Sequence, residues 1–267
     1  MNNQIGGMNE TQIAVDRTQF GLATNVDSTF GEVQYDGTLG LAFSQYNGTQ
    51  GYPFIMNAVT KGALAKPVFT VYLNRDVGKG KVGGLITYGA NDTYNCRPAF
   101  KYENVSSDYS YQYKINGISL GGYKHSGQYK VELTFSNIMK GPSAIVDKLA
   151  KAAGAKPTGD GITYSIDCNA EFPSLEIIAG STKYKIGHDL LITKIREGHC
   201  LFALSSMEQD SATGSAWYFG TPLMRQYCTI FDISENRKRI GFAEQIPEEW
   251  RSSVTPSPTT RRKFTRA

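Results

Sequence analysis

Short runs of β-branched and aromatic residues recur at intervals of about 8–12 residues between clusters of Gly, Asn, Asp and Pro, and this spacing constrains the chain more than any other feature. Strands this short are stable only when a sheet face is buried, so an all-β fold with packed or closed sheets is expected. The clearest runs are Gln19 to Thr24, Val68 to Leu73, Gly84 to Tyr88, Tyr109 to Ile115, Ser174 to Ala179, Thr182 to Ile186 and Thr229 to Ile233. Three segments read as helical. Pro53 to Gly62 is short and ends on Gly. Ser143 to Gly154 follows Pro142, offers Ser143 as N-cap and sets Ile145, Leu149 and Ala152 on one face. Thr221 to Tyr227 opens with a capping Thr and Pro222 at the first helical position.

The 267 residues include no apolar run near the roughly 18 residues of a membrane helix, so no membrane span is expected. Charge points away from nucleic acid as a partner. Of the 28 basic residues, Arg251, Arg261, Arg262, Lys263 and Arg266 follow the last carboxylate, Glu249, so the body up to Trp250 carries 23 basic against 24 acidic residues. A nucleic-acid footprint needs a basic face on the folded body, which this near-neutral total does not suggest. From Arg251 to Ala267 the chain is mostly Ser, Thr, Pro and Arg, with Val254 and Phe264 as its large apolar residues, and residues 246–267 are expected to form a disordered basic tail.

The compartment signals disagree. Met1-Asn2-Asn3-Gln4-Ile5 supplies neither the charged nor the apolar segment of a signal peptide, so none is expected in this chain. Asn9, Asn47, Asn91 and Asn104 each begin an N-x-[ST] acceptor, which fits a secretory route. The four cysteines, Cys96, Cys168, Cys200 and Cys228, have no CxxC spacing, and His125, His188 and His199 form no H-E-x-x-H, so neither metal nor cofactor is expected.

Two local motif matches fail on context. Gly78-Lys79-Gly80-Lys81-Val82-Gly83 matches G-x-G-x-x-G, but the phosphate site of that motif needs a helix next, and Leu85-Ile86-Thr87-Tyr88 is a strand. It reads as a hairpin turn. Gly117-Ile118-Ser119-Leu120-Gly121 matches the G-x-S-x-G elbow, yet Gly122-Tyr123-Lys124-His125-Ser126-Gly127 continues it with no helical period, so Ser119 reads as a hairpin serine.

A distributed constellation is more specific. Tyr35-Asp36-Gly37-Thr38-Leu39-Gly40-Leu41-Ala42-Phe43 and Trp217-Tyr218-Phe219-Gly220-Thr221-Pro222-Leu223-Met224 each lead from large residues through Gly into a short apolar turn. Pro67 to Leu73, Cys168 and Cys200 lie between them; Thr229-Ile230-Phe231-Asp232 and Arg239-Ile240-Gly241-Phe242-Ala243 follow. From about Gln19 to Ala243 this order resembles the pepsin-like aspartic endopeptidases of the pepsin and cathepsin D type, and Asp167-Cys168-Asn169-Ala170 with Arg225-Gln226-Tyr227-Cys228 is most similar to their nematode branch. The resemblance implies a pepsin-like acid protease fold with a partial N-terminal lobe, residues 1–75, and a complete C-terminal lobe, residues 76–245. It implies a Cys168–Cys200 disulfide worth roughly 3–4 kcal/mol in the chain-entropy model, and more weakly a Cys96–Cys228 bond. It also implies a protein or peptide ligand in the cleft, with Phe30, Tyr35 and Thr38 matching positions of the pocket for the residue before the cut bond; core packing is the alternative reading of Phe30 and Tyr35. Location would be extracellular or lysosomal. Oligomeric state stays open.

The chemistry of that family needs two carboxylates sharing one proton, each from a D-[ST]-G triplet, so that one activates a water while the other protonates the departing amide. No Asp in the chain begins such a triplet. Asp36-Gly37-Thr38 has similar letters in another order, and the first triplet and the flap over the substrate would lie upstream of residue 1. Counting back eight residues from Gly141-Pro142 puts the second catalytic position at Leu133, followed by Thr134, Phe135, Ser136 and Asn137. Glu132 is adjacent, but the alternation of Tyr129 to Phe135 points it to the opposite strand face unless the register slips by one. The chain is therefore expected to have no peptidase activity of its own. It is read as an incompletely represented endopeptidase or a non-functional fragment ahead of a peptide-binding pseudoprotease.

Overall fold

A computed structural model of the chain describes residues 2–6, 12–18, 21–28, 30, 37–43, 53–75, 82–208, 214–253 and 261–265. They form nineteen strands and three short α-helices, an all-β architecture.

A six-stranded antiparallel sheet joins distant parts of the chain. Its order is Arg261–Thr265, Val82–Tyr88, Val68–Leu73, Tyr227–Ser234, Arg237–Glu244 and Lys101–Asn104. The two central strands are apolar runs that bury almost every residue, as strands covered on both faces must. Phe69 and Phe231 are directly opposite in register, and their rings stack at 4.6 Å. Residues 53–75 thereby share one apolar core with the last hundred residues, a cluster that runs from Ile13 and Val15 through Phe54 to Phe242.

A seven-stranded sheet carries the second feature, in the order Thr182–Ile186, Leu175–Ala179, Gln112–Leu120, Tyr123–Leu133, Trp217–Phe219, Met139–Pro142 and Leu204–Met207. Trp217–Phe219 runs parallel to Tyr123–Leu133 on one side and antiparallel to Met139–Pro142 on the other. A strand from eighty residues downstream thus fills the gap inside a loop, giving the shape of the letter ψ. Two glycines make this possible. A Cβ at Gly141 would lie 2.1 Å from the Trp217 ring, and one at Gly220 would lie 2.0 Å from the Ser136 carbonyl oxygen. Trp217 is fully buried, which stabilises the crossing by about 2–3 kcal/mol at least by apolar area. The helix Ser143–Ala152 packs below, burying Ile145, Val146, Leu149 and Ala150.

Two disulfides are present. Cys168 bonds Cys200, and Cys96 bonds Cys228 in a small buried cluster with Tyr72, Leu85 and Ala243.

Several local expectations are corrected. Gly21 to Thr24 is not a strand, and Gln19 and Phe20 lie outside the described residues; β propensity there is not matched by a partner strand. Ser143 is the first residue of its helix instead of its cap, and Pro142 precedes it with no side-chain bond. Thr221 likewise starts its helix after Gly220, and its hydroxyl donates to the Asn137 side-chain oxygen, 3.1 Å away. For Thr221 this loop contact replaces local capping. The tail is not wholly unstructured: Glu248–Ser253 is a 3-10 turn and Arg261–Thr265 is a strand on the edge of Val82–Tyr88. An edge strand is held by main-chain hydrogen bonds to an open neighbour, which needs no apolar side chains.

Candidate functional site

The ψ-shaped crossing places residues 133–138 at the end of a strand, where a loop must turn sharply. Leu133 N–H donates to the Tyr111 carbonyl at 3.0 Å, and Thr134 N–H donates to the Phe219 carbonyl at 2.8 Å. The Ser136 carbonyl accepts from Thr221 N–H at 2.8 Å. The Ser136 hydroxyl donates to the Ile138 carbonyl at 2.9 Å. These bonds fix the loop tip from both sides. What the tip presents is decided by residue type alone.

Leu133 lines a small, partly open space of about 30 Å³ with Leu41, Phe69, Tyr111, Met224 and Phe231, bordered by Thr134 and Phe135. That volume is about one water, yet the walls are apolar, and the Tyr111 hydroxyl is already given to the Leu41 carbonyl at 2.5 Å. No carboxylate lines it. Phe135 sits at the loop tip as a residue 56% exposed, so it borders this space while staying largely open to solvent.

Glu132 does not substitute. The register is Val131 with Trp217, Glu132 with Tyr218 and Leu133 with Phe219, without a slip. Alternation sends Glu132 to the other face of the sheet, where its carboxylate accepts from the Ser215 hydroxyl at 3.2 Å, itself an acceptor of Gln112 Nε2 at 2.9 Å. Among the described residues that line the space beside Leu133, none carries a carboxylate.

The substrate-pocket residues are less coherent. Phe30 is half exposed and hydrogen-bonded through its N–H to the Asp27 carbonyl; Thr38 is exposed; neither lines the space beside Leu133. Tyr35 lies outside the described residues. From the same stretch of sequence it is Leu41 that reaches the loop tip, together with Tyr111, Met224 and Phe231, none of which sequence pattern marked as site residues. The contact is set by a tertiary approach, and only the Gly40-Leu41 turn hinted at it.

Other motif residues are structural. Gly117 to Leu120 lie within the strand Gln112–Leu120, so Ser119 is not on an elbow. His125 Nε2 is 2.8 Å from the Tyr129 hydroxyl, and His188 packs edge-on against Phe172. Gly78, Lys79, Gly80 and Lys81 lie outside the described residues; the segment after them, Val82–Tyr88, is a strand and not a helix.

A ψ-crossing beside a six-stranded sheet that joins distant chain segments is the architecture of an acid-protease lobe. The family model described as eukaryotic aspartyl protease matches residues 7–245, and the chain belongs to that family. It is similar to Aspartic protease 6 of Caenorhabditis elegans, with 37% identity over 245 residues covering 91% of this chain and 62% of that protein. Similarity extends to Aspartic protease 2 of Necator americanus, 29% identical over 90% of this chain and 56% of that protein. It extends also to Cathepsin D of Mus musculus, 28% identical over 88% of this chain and 58% of that protein. The chain spans between 56% and 62% of the length of these relatives.

Proposed function

We propose that residues 1–267 form a catalytically silent member of the aspartyl protease family, which retains the frame of the second-lobe active-site loop without its acid. The observation that carries this reading is Leu133 at the loop tip, facing an apolar space lined by Leu41, Tyr111 and Phe231. A carboxylate pair holding a water is the minimum apparatus for this chemistry, and one of the two positions here cannot ionise. The domain division we favour is part of a first lobe over residues 1–75, a second lobe over 76–245 and a terminal segment over 246–267. Val68–Leu73 and Val82–Tyr88 pair within one six-stranded sheet, so this division rests on family membership and not on a break in the sheet.

Protein or peptide segments are the ligand class that membership in the family supports, taken up beside Phe30, Tyr35 and Thr38. Two disulfides favour an oxidising route, lysosomal or extracellular, and Asn104, exposed on the edge strand Lys101–Asn104, is an accessible glycan acceptor. The test is incubation of the purified chain with a denatured protein substrate at acid pH, with and without a statine-type inhibitor. No inhibitor-sensitive cleavage is expected; cleavage blocked by the inhibitor overturns the reading.

A further inference from the structure

The near-neutral charge of the folded body hides a segregation that the seven-stranded sheet makes visible. Lys114 and Lys130 are directly opposite each other in register. Lys124 is opposite Ser119, which is opposite Glu176, which is opposite Lys185. Lys183 is opposite Ile178 on the same face, and Lys140 is opposite Tyr218, which is opposite Glu132. Side chains of cross-strand partners share a face, and residues an even number apart on one regular strand do too; the bulge between Ile115 and Gly117 shifts that strand by one, so Lys114 and Ser119 both pair with the exposed face of Tyr123–Leu133, through Lys130 and Lys124. Six lysines, all exposed, therefore project from one side of the sheet, while Tyr113, Ile115, Val131, Ile177 and Tyr184 fill the core on the other.

The strands of that face contribute two carboxylates, so these eight residues carry +4. Glu176 bonds Lys183 and Lys185 at 3.1 and 3.2 Å, and Glu132 is engaged with Ser215. Among the described residues no carboxylate forms an ion pair with Lys114, Lys124, Lys130 or Lys140. Like charges directly opposite in a sheet are destabilising, so the Lys114 and Lys130 pair works against folding, and among the described residues no ion pair offsets it. From the strand Thr182–Ile186 to Met139–Pro142 the face crosses five strand spacings, about 24 Å.

We propose that this lysine face is a docking surface for a sulfated polysaccharide chain. The large exposed apolar side chains, among them Phe30, Phe135 and Trp250, lie elsewhere, so the face has nothing to insert into a lipid surface. Its strands carry no arginine, and the one aromatic ring among the residues named on it, Tyr218, is only partly exposed, so it offers neither the guanidinium forks nor the run of stacking rings that read nucleic acid. Compact ammonium charges on flexible stems, spread over a broad sheet, suit sulfate groups along a flexible chain, held by charge and released by salt.

The probe is heparin, immobilised, with the full chain applied at about physiological ionic strength. Retention is expected, with elution at raised salt. The double variant Lys114→Glu/Lys130→Glu and the separate double variant Lys124→Glu/Lys140→Glu should each weaken heparin binding about tenfold or more. Arg261→Ala/Arg262→Ala/Lys263→Ala should leave most of it. Unchanged far-UV circular dichroism keeps loss of fold apart from loss of charge, and Lys→Gln versions of both pairs repeat the test with milder changes. The proposal is overturned if the unaltered chain flows through, if the sheet variants bind as before, or if the terminal variant alone abolishes retention. Duplex DNA or anionic phospholipid vesicles binding as tightly as heparin would overturn it equally.

Discussion

The hydroxyl of Tyr111 donates a 2.5 Å hydrogen bond to the carbonyl oxygen of Leu41, across 70 positions of sequence. The same residue's carbonyl accepts the N–H of Leu133, so Tyr111 holds both walls of the space at the loop tip. Burial pushes its hydroxyl far above the ordinary tyrosine range, which keeps the donor proton in place at every working pH. Tyr111→Phe is expected to cost about 0.5–1.5 kcal/mol, the net worth of one hydrogen bond plus part of the penalty for an unsatisfied carbonyl. Urea unfolding at constant m-value measures it; an unchanged midpoint would show that this bond does not join the Leu41 segment to the rest.

Leu133→Asp restores the family's residue type at the loop tip, and it is expected to destabilise the chain without creating a peptidase. The new carboxyl would face Leu41, Phe69 and Phe231, where burial disfavours its charged form and raises its folded pKa above the unfolded value. The sign follows: the variant is hurt least at acid pH, and its deficit grows as pH rises through the raised value. A loss of several kcal/mol at neutral pH relative to acid is expected. Thermal unfolding from pH 3 to 7 reads it, and a deficit independent of pH would show that water reaches the space.

How much of this was readable beforehand depends on the range of the interaction involved. The strands Val68–Leu73 and Thr182–Ile186 and the helix starting at Ser143 were legible because alternation, proline and glycine act locally. The Gly141-Pro142 landmark acts locally too, because the Trp217 ring passes where a side chain at Gly141 would stand. Leu41 was not legible as a neighbour of Leu133, because the two meet only through tertiary packing with Tyr111 and Phe231. The lysine face was hidden for a related reason. Composition sums charge over the whole body, while strand register decides which charges meet, and the pairing of Lys114 with Lys130 needs both strands and the bulge between Ile115 and Gly117.

Two carboxylates should give opposite pH dependences. Burial raises the Glu103 carboxyl, offset in part by the Tyr184 hydroxyl, which donates to it at 2.7 Å. Its folded pKa lies above the unfolded one, so its contribution is fully present below the unfolded pKa and is lost as pH rises through the folded value. Glu103→Gln keeps an acceptor for Tyr184 and should reduce the fall in stability between acid and neutral pH. For Asp232, burial pushes upward, but hydrogen bonds from Ser234 and Arg239 outweigh it and hold the carboxyl below its ordinary value. Its contribution is present above the unfolded pKa and lost as pH falls through the folded one. Asp232→Asn should cost about 1–3 kcal/mol at neutral pH and less in acid. Paired pH–stability curves check both signs, and parallel curves for the two variants would refute them.

The two disulfides should differ in what they contribute. Cys96–Cys228 closes a sequence separation of 132, Cys168–Cys200 one of 32. In the chain-entropy model the longer loop restricts the unfolded chain more, about 5 kcal/mol against about 3–4. The longer bond also ties the start of Tyr227–Ser234 to the bridge between Cys96 and Gln245, within a cluster that includes Tyr72 and Leu85. Cys96→Ala/Cys228→Ala is therefore expected to lower the denaturation midpoint further than Cys168→Ala/Cys200→Ala, and to expose the edge of the six-stranded sheet to proteolysis first. Guanidinium unfolding of the two variants, with limited proteolysis mapped by mass spectrometry, tests the order. If loss of Cys168–Cys200 proves the more damaging, native packing around Tyr164 and Phe202, and not loop length, governs the stability of this lobe.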